Sequence, residues 1–318
     1  MAVLKFILYD LSENAFEVKN VISYEISRDV SAPCDAVRLT FETDDTLDEI
    51  NRVEVFDGDK KVFNGYADTQ REYVAKDGFE CFIYARSSAC VLVDNEAVPY
   101  TYNMPSAKSL CVKNSKDFGF KCCLGDIYCE SSYQVNKGQS CFAAINNFVY
   151  GITGKRIMVN VDNEIVLPDS ESEIDFAEFD IISEKRVINR GNVVSEVDYK
   201  INDENDYSHH IKSRFFEQQK INRTLKLNLS SLPQWQRDYT LINTLMTADE
   251  LYNTIELVID GCKDLTLYSL AKYESKKFGK AQNYIINSVC MISDNNGERT
   301  KVTLARKIDL KEITYVVK

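Results

Sequence analysis

The chain has 318 residues, 44% of them hydrophobic, with only 12 glycines and 5 prolines. That length suits two to four folded domains, and the composition excludes a disordered or collagen-like chain. The net charge is −11, and residues 1–95 hold most of it, with 19 Asp and Glu against 10 Lys and Arg. A free-standing nucleic-acid binder is expected to show the opposite bias. The acidity reads either as a solvated face that aids solubility or as carboxylates lining a channel through which polyanion or polypeptide slides without sticking. No apolar run reaches about 18 residues, so no transmembrane helix is expected. The start, Met1 to Asp10, lacks the length and cleavage pattern of a signal peptide and reads as a strand. A soluble protein made in the cytoplasm is expected.

Residues 1–95 read as all β. Leu4–Tyr9 is the first strand, and a longer one covers Phe16–Val30. Ala36–Glu42 alternates cleanly, with Val37, Leu39 and Phe41 on one face and Arg38, Thr40 and Glu42 on the other. Arg52–Phe56 follows. Two more strands come after the turns Asp57-Gly58-Asp59 and Asp77-Gly78, the second being the alternating run Phe79–Arg86. Turn glycines between period-2 runs predict paired antiparallel strands. Six strands in under a hundred residues predict a barrel or sandwich. Alternation stops at Ser87-Ser88-Ala89-Cys90-Val91-Leu92, where the sheet is expected to end.

Residues 96–172 change character and read as a small α/β insert. Pro105–Val112 starts a helix with Ser106 as its cap. Gln139–Tyr150 predicts a second helix, with Cys141, Ala144, Ile145, Phe148 and Val149 on one stripe and Gly151 and Gly154 as stops. A hairpin turns at Asp162-Asn163. After the acidic junction 169–176, β character returns. Val193–Ile201 predicts a strand opening a second barrel over 173–318. The segment 203–278 reads as a helical insertion: a polar loop holding His209-His210, a strand at Thr224–Leu229, the lone Trp235, and helices at Ala248–Ile259 and Leu265–Lys277. A hairpin closes the chain, turning at Asp294-Asn295-Asn296-Gly297.

No catalytic, cofactor-binding or metal-binding residue is assigned. There is no GxSxG, HExxH, phosphate-binding loop or dinucleotide fingerprint. A cysteine nucleophile needs a nearby His, and the sole histidines, His209 and His210, sit in a polar stretch expected to be solvent loop. Ten cysteines include a group at Cys111, Cys122, Cys123 and Cys129, with no CxxC spacing. Adjacent Cys122 and Cys123 diverge, so free thiols in a reducing compartment are expected over a zinc site. Tyr84, Tyr100 and Tyr102 are candidates for an interface or for ordinary sheet packing.

The ordered set Phe63-x-Gly65-Tyr66-x-Asp68, Ala85-Arg86-Ser87-Ser88, Leu92-Val93-Asp94-Asn95-Glu96-Ala97 and Pro105-Ser106-Ala107 resembles the hub proteins of contractile phage tails. That family takes in Mu-like and PBSX-like baseplate hubs, late-control D proteins and the hub-like part of VgrG. Ser87 departs from the commoner Asp of that family. The resemblance implies two tube-like β-barrel domains, 1–95 and 173–318, around the insert, assembling as a homotrimer with a pseudo-six-fold ring. It implies a structural, non-enzymatic adaptor between the hexameric tail tube and the trimeric spike, with no cofactor and no membrane or specific nucleic-acid partner. Wedge or LysM-like proteins and a tape-measure protein are its expected neighbours. The particle is a phage tail or an R-type bacteriocin such as a diffocin, assembled in the bacterial cytoplasm and released. In that setting Arg86 is structural or interfacial. Two other readings stand beside it: a tail-tip cell-wall hydrolase with a carboxylate pair, and a cytosolic metal- or ligand-binding protein using Cys111–Cys129.

Overall fold

A computed structural model of the protein describes residues 4–44, 46–75, 78–168, 172–191, 193–202, 204–213 and 219–307. Seven strands fill the first part: β1 (Lys5–Asp10), β2 (Ala15–Glu17), β3 (Asn20–Asp29), β4 (Ala36–Glu42), β5 (Ile50–Asp57), β6 (Lys60–Ala75) and β7 (Gly78–Ser87). Alternation in sequence becomes two-sidedness in space. Val37, Leu39 and Phe41 are fully buried, as are Ala85, Ile83 and Cys81 directly across from them on β7. The strands follow the order β3-β4-β7-β6-β5-β1-β2. Yet Phe6 on β1 packs 5.2 Å from Tyr24 on β3, and Phe16 on β2 lies 6.1 Å from Phe41 on β4. Strands from opposite ends of that order share one interior, so the sheet is rolled into a barrel filled by side chains.

The sheet ends where alternation stops. α1 (Cys90–Asp94) follows the buried Ser87, Ser88 and Ala89. Then come β8 (Tyr100–Tyr102), α2 (Ala107–Asn114), β9 (Lys121–Cys122), β10 (Tyr133–Val135), α3 (Cys141–Thr153), β11 (Met158–Val159) and β12 (Glu164–Val166). Ser106 caps α2: its hydroxyl accepts from the Ser109 N–H at 3.1 Å, and the Ser109 hydroxyl accepts from the Ser106 N–H at 3.0 Å. α3 buries Cys141, Ala144, Ile145, Phe148 and Val149, the expected stripe, and packs on α1 and α2. It runs through Gly151 and stops at Gly154, whose φ of 68° is the left-handed cap that favours glycine.

The remaining elements are β13 (Glu173–Asp175), β14 (Ile181–Ile188), β15 (Glu196–Lys200), β16 (His209–Lys212), β17 (Thr224–Asn228), α4 (Gln234–Glu250), β18 (Asn253–Asp260), β19 (Leu270–Ser275), β20 (Gly279–Asp294) and β21 (Gly297–Arg306). The chain divides into two units. One comprises Met1–Ser170, Val258–Tyr268 and Asn287–Val302; the other comprises Glu171–Leu257, Ser269–Ile286 and Thr303–Lys318. In the first unit, Ser288–Ser293 of β20 pair with Asp29–Tyr24 of β3. In the second, β19 pairs with β13 in parallel and with β20 antiparallel. Also in the second, a separate sheet of order β16-β15-β17 carries α4, through a core of Val197, Ile211, Leu229, Leu241 and Leu245.

Three expectations for the second half are corrected. The helices expected at Ala248–Ile259 and Leu265–Lys277 are β18 and β19, and among the described residues the helix of this region, α4, lies earlier. Leu251, Ile255 and Val258 match a helical stripe, but Leu251 is exposed and the buried set is Ile255, Leu257 and Ile259, at period 2. Val193–Ile201 contains a strand, β15, but it centres the separate small sheet instead of opening a barrel. His209 and His210 lie on β16 and not in a solvent loop. Asp77 of the expected turn and residues 169–171 of the acidic junction lie outside the described residues.

Candidate functional site

Gly65, Asp68, Arg86, Ser87 and Asp94, five of the residues that carry the resemblance, meet at one corner. Gly65 on β6 stands opposite Ser87 on β7, and a Cβ placed on it would come within 2.0 Å of the Arg86 carbonyl oxygen. Only glycine permits that approach. The β6–β7 register shifts at Asp68, between Ala67 and Thr69, and Arg86 Nη2 of β7 donates to Asp68 Oδ1 at 3.1 Å. The same guanidinium reaches forward to α1, donating to Asp94 Oδ1 at 3.0 Å and Oδ2 at 2.7 Å. Asp68 and Asp94 raise the Arg86 guanidinium above its ordinary value, and Arg86 holds the Asp94 carboxyl below its own. A planar fork gripping two carboxylates is a geometric lock. Arg86 therefore fastens the exit of the barrel to the first helix, and all its described partners are structural.

A second ion cluster escaped the sequence reading. Arg28 on β3 pairs with Asp264 through Nη1 and approaches Asp35 at 3.4 Å, and Lys60 on β6 reaches Asp264 Oδ2 at 2.6 Å. Arg28 and Asp264 are 236 positions apart, so no local pattern announces the pair.

Thiol chemistry finds little support. Burial pushes Cys34 up to about 12, and Cys81 and Cys290 up to about 11. At neutral pH such groups are thiols, which are poor nucleophiles. Burial also raises Cys111, which is hydrogen-bonded to Cys122. Cys123 points to solvent, and the Cys111–Cys129 group brings no three ligand atoms together among the described residues.

A cavity of about 960 Å³ lies in the second unit against β14 and β19. Two of its lining carboxylates have partners. Asp175 is held by Lys272 at 2.5 Å, and Glu184 accepts from Tyr273 and from Ser275, the latter at 3.0 Å. Those bonds lower both carboxyls. A glycosidase needs one carboxyl raised to act as acid, and neither of these is. His209 is held by Glu204 at 3.1 Å and stacks on Tyr199, while His210 faces Asp198 and Glu196.

Exposed apolar side chains are unevenly spread. Among the described residues, seven of the sixteen large exposed ones fall between Val98 and Ile152. Tyr100 is half exposed, with the Lys113 ammonium over its ring, whereas Tyr102 is buried against Tyr133. Tyr84 lies on the outer barrel face beneath the Arg38 guanidinium.

No family model and no curated relative matches the sequence. Solved structures do match, over nearly the full chain. A tail protein from Neisseria meningitidis MC58 superposes with a TM-score of 0.74 at 14% identity, covering 96% of this chain and 97% of that one. The chain has the fold of a phage tail protein. The 43 kDa tail protein of prophage MuSo2 from Shewanella oneidensis matches equally, with a TM-score of 0.74 at 13% identity over 96% and 98% of the two chains. An Escherichia coli component of the type VI secretion system, described as structurally similar to the bacteriophage T4 tail proteins gp27 and gp5, matches with a TM-score of 0.53 at 8% identity. It covers 93% of this chain and 76% of that one. The mostly β fold of a tail protein, expected from the resemblance, is the fold observed.

Proposed function

We propose that the protein is a structural component of a contractile tail and, specifically, the baseplate hub that adapts the hexameric tail tube to a trimeric central spike. The observation that carries this reading is the tail-protein fold running end to end, with 96% of this chain matched to 97% of a tail protein. In this reading three copies form a ring. Each copy offers two tube-like domains, 1–95 and 173–318, giving six similar surfaces from three chains. The insert, 96–172, carries the densest set of exposed apolar side chains, which suits docking to a neighbour. The edge strand β14, with Ile182 and Ile188 exposed, suits pairing in the same way. The acidic first domain suits a lumen that does not retain negatively charged cargo. The work is positioning, without turnover. The hub is made in the bacterial cytoplasm and built into the particle beside tube, spike, wedge or LysM-like and tape-measure proteins.

Light scattering on the purified protein, followed by mixing with the tube and spike proteins of the same particle, tests this. A trimer that joins both is expected. A stable monomer at micromolar concentration that joins neither overturns the reading.

A further inference from the structure

We propose that Glu196, Asp198 and His210 form a binding site for a divalent transition-metal ion of the zinc and cobalt class. The argument starts from register. Glu196 and Asp198 are two apart on β15, so they share one face of the small sheet. Antiparallel pairing sets His210 of β16 directly opposite Asp198, and Lys212 opposite Glu196. The residues between them, Val197 and Ile211, point the other way into the core formed with Leu241 and Leu245 of α4. The ligand face is thus held on a sheet anchored from behind, and it does not hang on a loop.

The distances suit an ion. His210 Nδ1 lies 2.6 Å from Asp198 Oδ1 and 4.0 Å from Glu196 Oε1. All three ligand atoms lie within 4.8 Å of one another. The 2.6 Å contact is a hydrogen bond whose proton an incoming ion replaces. Donors bound to zinc at about 2.0–2.2 Å stand about 3.0–4.4 Å apart, so side-chain shifts of under about 1 Å open that pair and seat the triad on an ion. The side chains of Glu196 and Asp198 are 22% and 17% exposed and that of His210 is 40% exposed, so one side stays open to water. One imidazole with two carboxylates favours zinc, cobalt or manganese over magnesium or calcium, which prefer all-oxygen shells.

Lys200, two residues beyond Asp198 on the same face of β15, lies over the Tyr207 ring. Lys212 Nζ is 3.5 Å from Glu196 Oε1 and acts as the counter-charge that an incoming ion displaces. Lys226 of β17 pairs in register with Asp198, but its ammonium lies over the Tyr207 ring. His209 faces away, held by Glu204. Adjacent histidines on a strand therefore separate into one ligand and one bystander. The bound ion would cross-link β15 to β16 and stiffen that sheet.

Cobalt(II) titration of the full-length protein distinguishes this triad from the ten cysteines. One equivalent is expected to bind with a d–d spectrum and no sulfur charge-transfer band, and to raise the melting temperature. His210→Ala and Asp198→Asn should each weaken binding at least about tenfold and abolish the metal-induced rise. His209→Ala should change neither. Melting without metal checks that each variant folds. A sulfur charge-transfer band for the bound ion, binding unchanged in both His210→Ala and Asp198→Asn, or no binding by the wild type overturns the proposal.

Discussion

Gly65→Ala is the most demanding test of the corner at β6 and β7. The added Cβ would lie 2.0 Å from the Arg86 carbonyl oxygen, 2.7 Å from its carbonyl carbon and 2.8 Å from the Ser87 Cα. All three contacts are backbone, so no rotamer change relieves them. The strands must part by about 1.4 Å to reach ordinary van der Waals separation. Parting them strains the bonds on either side, including Ser88 N–H to Asn64 O at 3.0 Å and Ser87 N–H to Asp35 O at 2.8 Å. Overpacking costs about 1–3 kcal/mol where side chains give way, and a backbone clash belongs at or above the top of that range. A loss of about 3 kcal/mol lowers the melting temperature of a domain this size by roughly 6–12 °C. Gly78→Ala is the matched control, because nothing lies within 4 Å of a Cβ there. Differential scanning fluorimetry of both variants suffices. If Gly65→Ala melts within about 1 °C of Gly78→Ala, the account of the corner is wrong.

Two further outcomes follow from the electrostatics of the first unit. Burial alone raises the Asp264 carboxyl, but Arg28 and Lys60 more than offset it, so it titrates below its ordinary 3.8. Its contribution is therefore complete above that ordinary value and is lost as pH falls through the lowered one. Asp264→Asn should cost about 3 kcal/mol at neutral pH. That gap from wild type should narrow on acidification below about pH 4, as read by melting temperature against pH. In timed alkylation with iodoacetamide followed by peptide mass mapping, the exposed Cys123 should react first. Cys81 and Cys290, raised to about 11, hold only about a thousandth of their thiolate at mildly alkaline pH, and should be labelled only on unfolding.

The first half was readable because its signals are local. Val37-x-Leu39-x-Phe41 has one interpretation at period 2, and α3 repeats its buried residues at helical spacing over three turns. Ser106 and Gly154 mark helix ends by chemistry that needs no tertiary information. The second half misleads because β18 carries apolar residues at both periods. Ile255 and Val258 fit a helix, while Ile255, Leu257 and Ile259 fit a strand. The deciding fact, burial within a sheet, depends on strands far away in sequence. β15 failed differently: its alternation was right, but alternation does not say which sheet a strand joins. The same limit hid Arg28–Asp264, whose partners meet only after the chain has built both barrel strands and the loop from 261 to 269.

The residues that carried the resemblance form one mechanical device. Gly65 lets β6 and β7 touch, Asp68 and Asp94 grip Arg86 from two elements, and Ser87 fills the position where Asp is commoner. Ser87 ties β7 to the chain just before β4. Its hydroxyl accepts from the Asp35 N–H at 3.1 Å, and its N–H donates to the Asp35 carbonyl at 2.8 Å. An Asp there would set a second carboxylate against Asp35, beside Arg28 and Asp264, in a site where burial already works against charge. A serine at position 87 therefore suits this chain's own ion cluster. Together these residues describe how a barrel ends and a helix begins.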